Sequence, residues 1–401
     1  MEKSFRMELA GRSLIVETGK MAKQASGAVL VRYGETVVLV TSTASKEARE
    51  GMDFFPLTVD YEEKMYAVGK MPGGFLRREG RPGNSAILNA RLIDRPIRPL
   101  FDKRCRNDIH VMATVLSVDY DNAPELCGML GASASLGISD IPWDGPIAGV
   151  RVGRVDGKFV INPTQEQLKV STLNITVAGS ETAILMVEGG AQEAPEEDVL
   201  DAIMFGHETI KELVAFQKKI IEEVGKPKRT LIFPEIPEEI KTAIYAYAER
   251  PLKEAIFNPD KLTREAHMEE VRKEAEAHFK EIYPENGSDI AECLNHLTKE
   301  IVRHMISVDK IRPDGRALDE IRPISCEVGL LPRVHGSALF TRGQTQALTI
   351  TTLAPMSETQ IIDDLTQETE KRYIHQYNFP SYSVGETKSS RGPGRREVGH
   401  G

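Results

Sequence analysis

Residues 1–60 alternate between apolar and polar, the two-residue period of half-buried strands. "RSLIVETGKM" is one such run. "GAVLVRYGETVVLVTSTAS" holds two, with "RYGET" as the turn between them and Gly34 suited to a positive φ. Residues 72–83 break the pattern as a Gly/Pro/Arg loop. "NSAILNARLIDR" then spaces its apolar residues helically and predicts a helix, with Asn84 or Ser85 as N-cap and Pro96 as its stop. Strand patterns return in "HVMATVLSVD", "LNITVAG" and "TAILMVEGG", around a small-residue helix near "LCGMLGASASLGIS".

Near Pro195 the period lengthens. "EEDVLDAIMFGHETIKELVAFQKKIIEEVGK" reads as one amphipathic helix ending at Gly225 and Pro227. Residues 232–300 stay mostly helical and carry 16 Asp/Glu against nine Lys/Arg, a solvated acidic module. "IRPDGR" (311–316) is a turn cluster that closes it. Strand alternation then resumes in "HGSALFTRGQTQALTITTLAP".

That resumption repeats the start of the chain. Gly27, Leu30, Gly34, Thr36, Leu39 and Thr43 fall on Gly336, Leu339, Gly343, Thr345, Leu348 and Thr352 at a constant offset of 309. Glu17 and Gly19 fall on Glu327 and Gly329 at 310. Downstream, Phe55-Pro56 recurs as Phe379-Pro380, Val68-Gly69 as Val384-Gly385, and Arg77-Arg78-Glu79 as Arg395-Arg396-Glu397. An ordered series of this kind is an internal duplication. The chain therefore reads as one domain, a helical insert and a second copy of the first domain, which stops short of its counterpart's length.

Composition narrows the class. A chain of 401 residues with 40% apolar and 28% charged residues suits a globular protein of two or three domains. The net charge of −9 argues against a general nucleic-acid coat. Yet residues 70–106 hold ten Lys/Arg against only Glu79, Asp94 and Asp102, a local field suited to phosphates. Cys105, Cys127, Cys293 and Cys326 form no CxxC pair and read as reduced thiols of a cytoplasmic protein. No apolar run approaches the roughly 18 residues of a membrane span, and the N-terminus lacks a signal-peptide core, so no membrane association is expected.

The candidate chemistry is basic. Paired guanidiniums on a Gly/Pro-rich loop match phosphate oxygens bidentately, and Phe75 beside Arg77 offers a base-stacking platform. Arg81 extends the loop. Arg91 and Arg95, spaced i,i+4, share a helix face, with Arg98 beyond Pro96; the plain alternative is pairing with Asp94 and Asp102. His400, four residues after Arg396, could donate to a phosphate or a leaving group. "SVGETKSS" lacks P-loop spacing, and His267 and His278 read as solvated rather than zinc-binding. Asp363-Asp364 and Asp119/Asp121 read as turns, so no metal ligands are assigned within the chain.

"FFPLTVDYEEKMYAVGKMPGGFLRREGRP", "ARLIDRPIRPLF", "NPTQEQL", "LMVEGGA", "DAIMFGHE", "RPDGR", "HGSALFTRGQTQAL", "YNFPSYSVGE" and "RREVGHG" together resemble the bacterial polynucleotide phosphorylases, over all 401 residues. The resemblance implies an α+β protein with two ribonuclease PH-like β/α domains, the second incomplete, separated by an all-helical domain. Expected bounds are 1–230 (143–206 its second half), 231–306 and 307–401. It implies a pore loop at Phe75-Leu76-Arg77-Arg78, with Leu76 where many members carry a second aromatic. It places Arg395, Arg396 and His400 in a phosphorolytic site whose remainder, including the Mg²⁺ ligands, would lie beyond residue 401. It also implies a homotrimeric ring and RNA-degradation partners.

The expected activity is 3′→5′ phosphorolysis of single-stranded RNA: inorganic phosphate, the co-substrate, attacks the terminal phosphodiester and releases nucleoside diphosphates. Such chemistry calls for placement and charge neutralisation more than for a protein nucleophile. One rival is a catalytically silent RNA-binding ring component. Another is a small-molecule phosphotransferase, against which the absent P-loop and the duplicated basic loop count.

Overall fold

The alternation of the first residues becomes four antiparallel strands, β1 (Lys3–Leu9), β2 (Arg12–Thr18), β3 (Gly27–Tyr33) and β4 (Thr36–Ala48). They are followed by β5 (Leu57–Glu62), α1 (Asn84–Ile97), β6 (Asn107–Ser117) and α2 (Pro124–Ile138). The sheet runs β1-β2-β3-β4-β6-β5, with β5 parallel to β6 and on the sheet edge. This computed structural model describes residues 2–48, 54–231, 236–366, 369–389 and 392–401.

A second sheet, β10-β9-β7-β8, is built from β7 (Ala148–Val155), β8 (Lys158–Ile161), β9 (Leu173–Gly179) and β10 (Ile184–Ala191). Between them lies the short α3 (Gln165–Val170), and α4 (Glu196–Val224) follows. Helix α2 packs against β3, β4 and β6 on one side and β7 and α4 on the other, so Leu126 to Ile138 are all buried. Small residues permit this: at Gly27 a Cβ would stand 2.0 Å from the Ser135 carbonyl oxygen. The end of α2 is closed by Lys228, whose Nζ donates to the carbonyls of Leu136 (2.8 Å), Gly137 (2.9 Å) and Ser139 (2.8 Å).

The helical module comprises α5 (Glu238–Ile256), α6 (Lys261–Ile282) and α7 (Gly287–Ser307) around Ile244, Leu252, Phe279 and Leu294. Residues 232–235, the start of its expected helical stretch, lie outside the described residues, as do 49–53 of the expected strand region. Then come β11 (Ile324–Val328), β12 (Gly336–Arg342) and β13 (Thr345–Thr351), a three-stranded sheet, and β14 (Gln360–Ile362) paired with β15 (Thr369–Lys371). A six-residue helix, α8 (Arg395–His400), is last. By its contacts the chain forms two units, Met1–Phe233 with Thr359–Gly401, and Pro234–Glu358.

The duplication holds at the level of register. Every β3–β4 pair recurs between β12 and β13 at an offset of 309: Gly27↔Ser42 as Gly336↔Thr351, Leu30↔Leu39 as Leu339↔Leu348, Tyr33↔Thr36 as Arg342↔Thr345. The β2–β3 pairs recur between β11 and β12, with β2 shifted by 310, so Glu17↔Leu30 becomes Glu327↔Leu339. Gly34 and Gly343 both turn their hairpins at φ +59, a conformation in which a side chain is strained. Gly69 and Gly385 likewise end equivalent 3-10 turns with φ 70 and 71 and the same ψ of 15.

Two of the downstream matches are not equivalent. Phe55-Pro56 precedes β5, whereas Pro380 is the N-cap of the 3-10 turn Ser381–Val384. Arg77-Arg78-Glu79 lies in the loop before α1, whereas Arg395-Arg396-Glu397 forms the first turn of α8. Both tripeptides share letters, not a position in the fold. Helix α1 also departs from expectation at both ends. Its N-cap is Gly83, and Ser85 Oγ instead donates to Glu63 Oε1 at 2.9 Å. Pro96 sits inside the helix, which runs on to Ile97. A proline so near the C-terminus removes a single backbone bond, and the Arg98 N–H still reaches the Asp94 carbonyl.

Candidate functional site

The loop at 72–83 offers an aromatic and a cluster of cations to solvent. Phe75 is 99% exposed and Leu76 is 83% exposed, so neither contributes to a core. Arg77 adopts φ +48, its N–H bonding the Gly74 carbonyl at 2.9 Å. Arg78 and Arg81 are exposed. Glu79 anchors the loop by accepting from the Met65 N–H at 3.2 Å. Backbone N–H bonds, its own and that of Met65, hold the Glu79 carboxyl below its ordinary range, with Lys64 and Arg78 adding to the effect. A tied base carrying a free tip suits a flexible polyanion with bases to stack.

The three arginines on α1 and at its C-cap part company. Arg98 donates through Nε (3.0 Å) and Nη2 (2.9 Å) to Asp94 and through Nη2 to the Leu57 carbonyl (3.0 Å), and lies 5.9 Å from the Phe55 ring centroid. Arg95 pairs with Glu188 of β10. Arg91 turns to α8, where a Cβ at Gly399 would stand 2.8 Å from its Nε. Asp102, the other expected partner, is taken by Arg104 at 2.8 Å.

Helix α8 is anchored by Glu397, whose carboxylate accepts from the N–H groups of Gly394 (2.7 Å) and Phe379 (2.8 Å), bonds that hold it below its ordinary range. Arg395 donates Nη1 to the Val59 carbonyl at 2.6 Å and Nη2 to Asp60, both on β5. Asp60 in turn meets His110 Nε2 at 2.9 Å. Arg396 is exposed and has no ion-pair partner among the described residues. His400 is exposed, its ring edge against Tyr377 at 4.8 Å. Arg91, Arg395 and His400 thus gather where α1, β5 and α8 meet, while no hydrogen bond among the described residues joins 75–81 to α8.

Asp60 and His110 had no signal in the sequence. Their meeting depends on β5 pairing in parallel with β6, which sets Thr58 opposite His110. Among the described residues no group of three or more His, Cys, Asp or Glu side chains could hold a metal ion. The four carboxylates weighed above serve locally: Asp363 pairs with Lys70 at 2.8 Å, Asp364 caps Thr366, Asp119 accepts from Glu35 and Asn122, and Asp121 from Gln165. His278 stacks on Tyr247 at 4.7 Å. Among the described residues no helix is long and apolar enough to cross a membrane.

Known proteins show the same layout. The family model for domain 1 of the 3′ exoribonuclease family matches residues 10–142 and again 320–401, and that for domain 2 of the family matches 145–209. The model of the RNA binding domain of polyribonucleotide nucleotidyltransferase matches 239–317. The chain is 60% identical over 397 residues to a polyribonucleotide nucleotidyltransferase of Heliobacterium modesticaldum, covering 99% of this chain and 56% of that protein. It is 59% identical to the protein of that name from Syntrophomonas wolfei, covering 100% and 57%. For Bacillus cytotoxicus the identity is 56%, covering 99% and 56%. The chain spans little more than half the length of the curated relatives it matches.

Proposed function

The chain belongs to the 3′ exoribonuclease family, and on that premise we propose that it is the RNA-guiding and phosphate-contacting part of a 3′→5′ phosphorolytic exoribonuclease, a polyribonucleotide nucleotidyltransferase. The observation that carries this reading is identity of 60% over 397 residues, 99% of the chain. In it, single-stranded RNA reaches the loop at 72–83, where Phe75 stacks on a base and Arg77, Arg78 and Arg81 neutralise phosphates. Arg395, Arg396 and His400 lie about the 3′-terminal phosphodiester, and Arg91, which reaches α8, binds RNA beside them. Arg95 and Arg98 shape the basic surface through their pairs with Glu188 and Asp94.

Inorganic phosphate attacks the terminal phosphorus, the P–O bond to the preceding nucleotide's 3′ oxygen breaks, and a nucleoside diphosphate leaves. One phosphoryl linkage replaces another, so the step is reversible. This chain's own groups orient the two anions and lower their mutual repulsion, and His400 can give the departing 3′ oxygen its proton. Magnesium belongs to this reading through ligands outside residues 1–401. So do a homotrimeric ring, a cytoplasmic setting and partners in RNA degradation.

A second reading applies to residues 1–401 by themselves. Strand β13 is exposed along its whole length, and β11 likewise. On that view the chain guides RNA without turning it over. Incubation with poly(A), Mg²⁺ and inorganic phosphate decides between them. Phosphate-dependent release of ADP supports the activity of the first reading and overturns its placement of the magnesium ligands outside residues 1–401. Salt-sensitive RNA binding without ADP supports the second, and no RNA binding at all sinks both.

A further inference from the structure

Taking α8 as the phosphate-contacting helix of the function just described, we infer that Asp60 is a positioning residue acting through Arg395, fixing the turn from which Arg396 and His400 meet the anion. The assignment follows from helical geometry. Arg395 and Gly399 stand i,i+4 on α8 and share one face; Arg396 and His400 stand i,i+4 on the next. The first face is docked. Arg395 is committed to the Val59 carbonyl (2.6 Å) and the Asp60 carboxylate, and Gly399 lies so close to Arg91 that a Cβ would be 2.8 Å from its Nε. The second face carries Arg396, exposed and with no ion-pair partner among the described residues, and His400, exposed with its ring edge against Tyr377.

Asp60 is itself held in place. Its Oδ2 lies 2.9 Å from His110 Nε2, and because a carboxylate only accepts, the imidazole donates from that nitrogen. The chain His110–Asp60–Arg395 therefore runs from two strands of the first repeat to the first turn of a helix in the second. The Nη1 and Nη2 hydrogens spent on Val59 and Asp60 fix the Arg395 guanidinium, and with it the first turn of α8, against β5. The first repeat, whose own basic elements guide RNA, also sets the angle at which the second repeat presents its cations.

Fluorescence anisotropy of a labelled oligo(A) bound to this chain over a series of salt concentrations tests the assignment. Arg396→Ala should weaken binding and flatten the plot of log K against log salt by about one unit. Asp60→Asn and Arg395→Ala should each weaken binding roughly tenfold, and their double variant no further, because they act as one unit. Asp60→Asn should add nothing in a background carrying both Arg396→Ala and His400→Ala, a silence that general destabilisation would not produce. Asp60→Glu should recover part of the loss. Tighter binding and a steeper salt slope on Asp60→Asn would overturn the inference, since Asp60 would then be withholding Arg395 from RNA. Weakening by Arg395→Ala with no effect of Asp60→Asn would overturn it too. If Asp60→Asn does not fold, His110→Ala frees the same carboxylate from further away and must weaken binding in the same direction. No effect of Arg396→Ala would instead remove the reading of α8 on which the inference rests.

Discussion

The hairpins β3–β4 and β12–β13 pair their residues identically, yet one is core and the other is surface. Val31, in the first copy, is fully buried, while its counterpart Phe340 is 43% exposed. In β13, Leu348 and Ile350 are 55% and 52% exposed. Register and turn come from local chemistry that both copies share, the alternation and a glycine at φ +59. Burial comes from layers laid over the hairpin. In the first copy these are α2 and the neighbouring β6; none of the described residues covers β13 in that way. Strand pairing is thus common to the two copies, while burial is not.

The sharpest way to break this comparison is to truncate equivalent side chains. Val31→Ala should cost about 2 kcal/mol in urea denaturation, through lost burial and the cavity left behind. Phe340→Ala should cost well under 1 kcal/mol, as half-exposed positions away from special features do. Equal losses would mean that β12–β13 is buried in solution. A smaller contrast concerns the turns. Gly34→Ala and Gly343→Ala both strain the backbone, by about 1 kcal/mol. At Gly34 the new Cβ would also press on Asn122 Nδ2 (2.3 Å) and Asp119 Oδ2 (2.7 Å), which hold each other, whereas at Gly343 it meets only the flexible Arg322 side chain at 2.9 Å. Gly34→Ala should therefore be the worse of the two by thermal melting.

The two Arg-Arg-Glu tripeptides make the second comparison. In the loop both guanidiniums face solvent, whereas on α8 the first is docked on β5 and the second is free. Phe75→Ala should lower affinity for oligo(A) by about 1–3 kcal/mol, the worth of one stacked base, with the salt slope unchanged. Arg78→Ala should lower affinity less and reduce that slope by about one. A Phe75 variant that altered the slope, or an Arg78 variant that did not, would reverse the roles given to the two residues.

Much of this was legible in the chain. The strands, the helical module and the family were all readable, because period-2 and helical patterns, glycine turns and a constant offset are local or additive signals. The seam between repeats was not. Asp60 on "LTVDYE" looks like any polar residue of an alternating strand, and only the parallel β5–β6 pairing brings His110 beside it. Identical tripeptides carry no mark of the element they belong to, so Arg77-Arg78-Glu79 and Arg395-Arg396-Glu397 looked equivalent while one was loop and the other helix. Pro96 misled because the cost of a proline depends on how many turns follow it, which the sequence leaves open until the helix end is known.

The glutamates are what the two tripeptides do share, and they supply the smallest effect. Glu79 and Glu397 each accept backbone N–H bonds near the start of a 3-10 turn, and each is held below its ordinary value of 4.5 by those bonds. A carboxyl whose folded value is depressed contributes stability that is complete above 4.5 and is lost as pH falls through the lowered value. Both anchors should accordingly be intact from neutral pH down to about 4.5 and loosen only in more acid solution. Amide exchange at Met65 and Phe379 should show this, each N–H staying protected until its partner takes up a proton. Since Glu397 also holds the N-cap of α8, acid should release that helix along with Phe379, whereas at Glu79 it should release the loop alone. Loss of protection at Phe379 without fraying of α8 would show that the helix is held chiefly by Arg395 on β5.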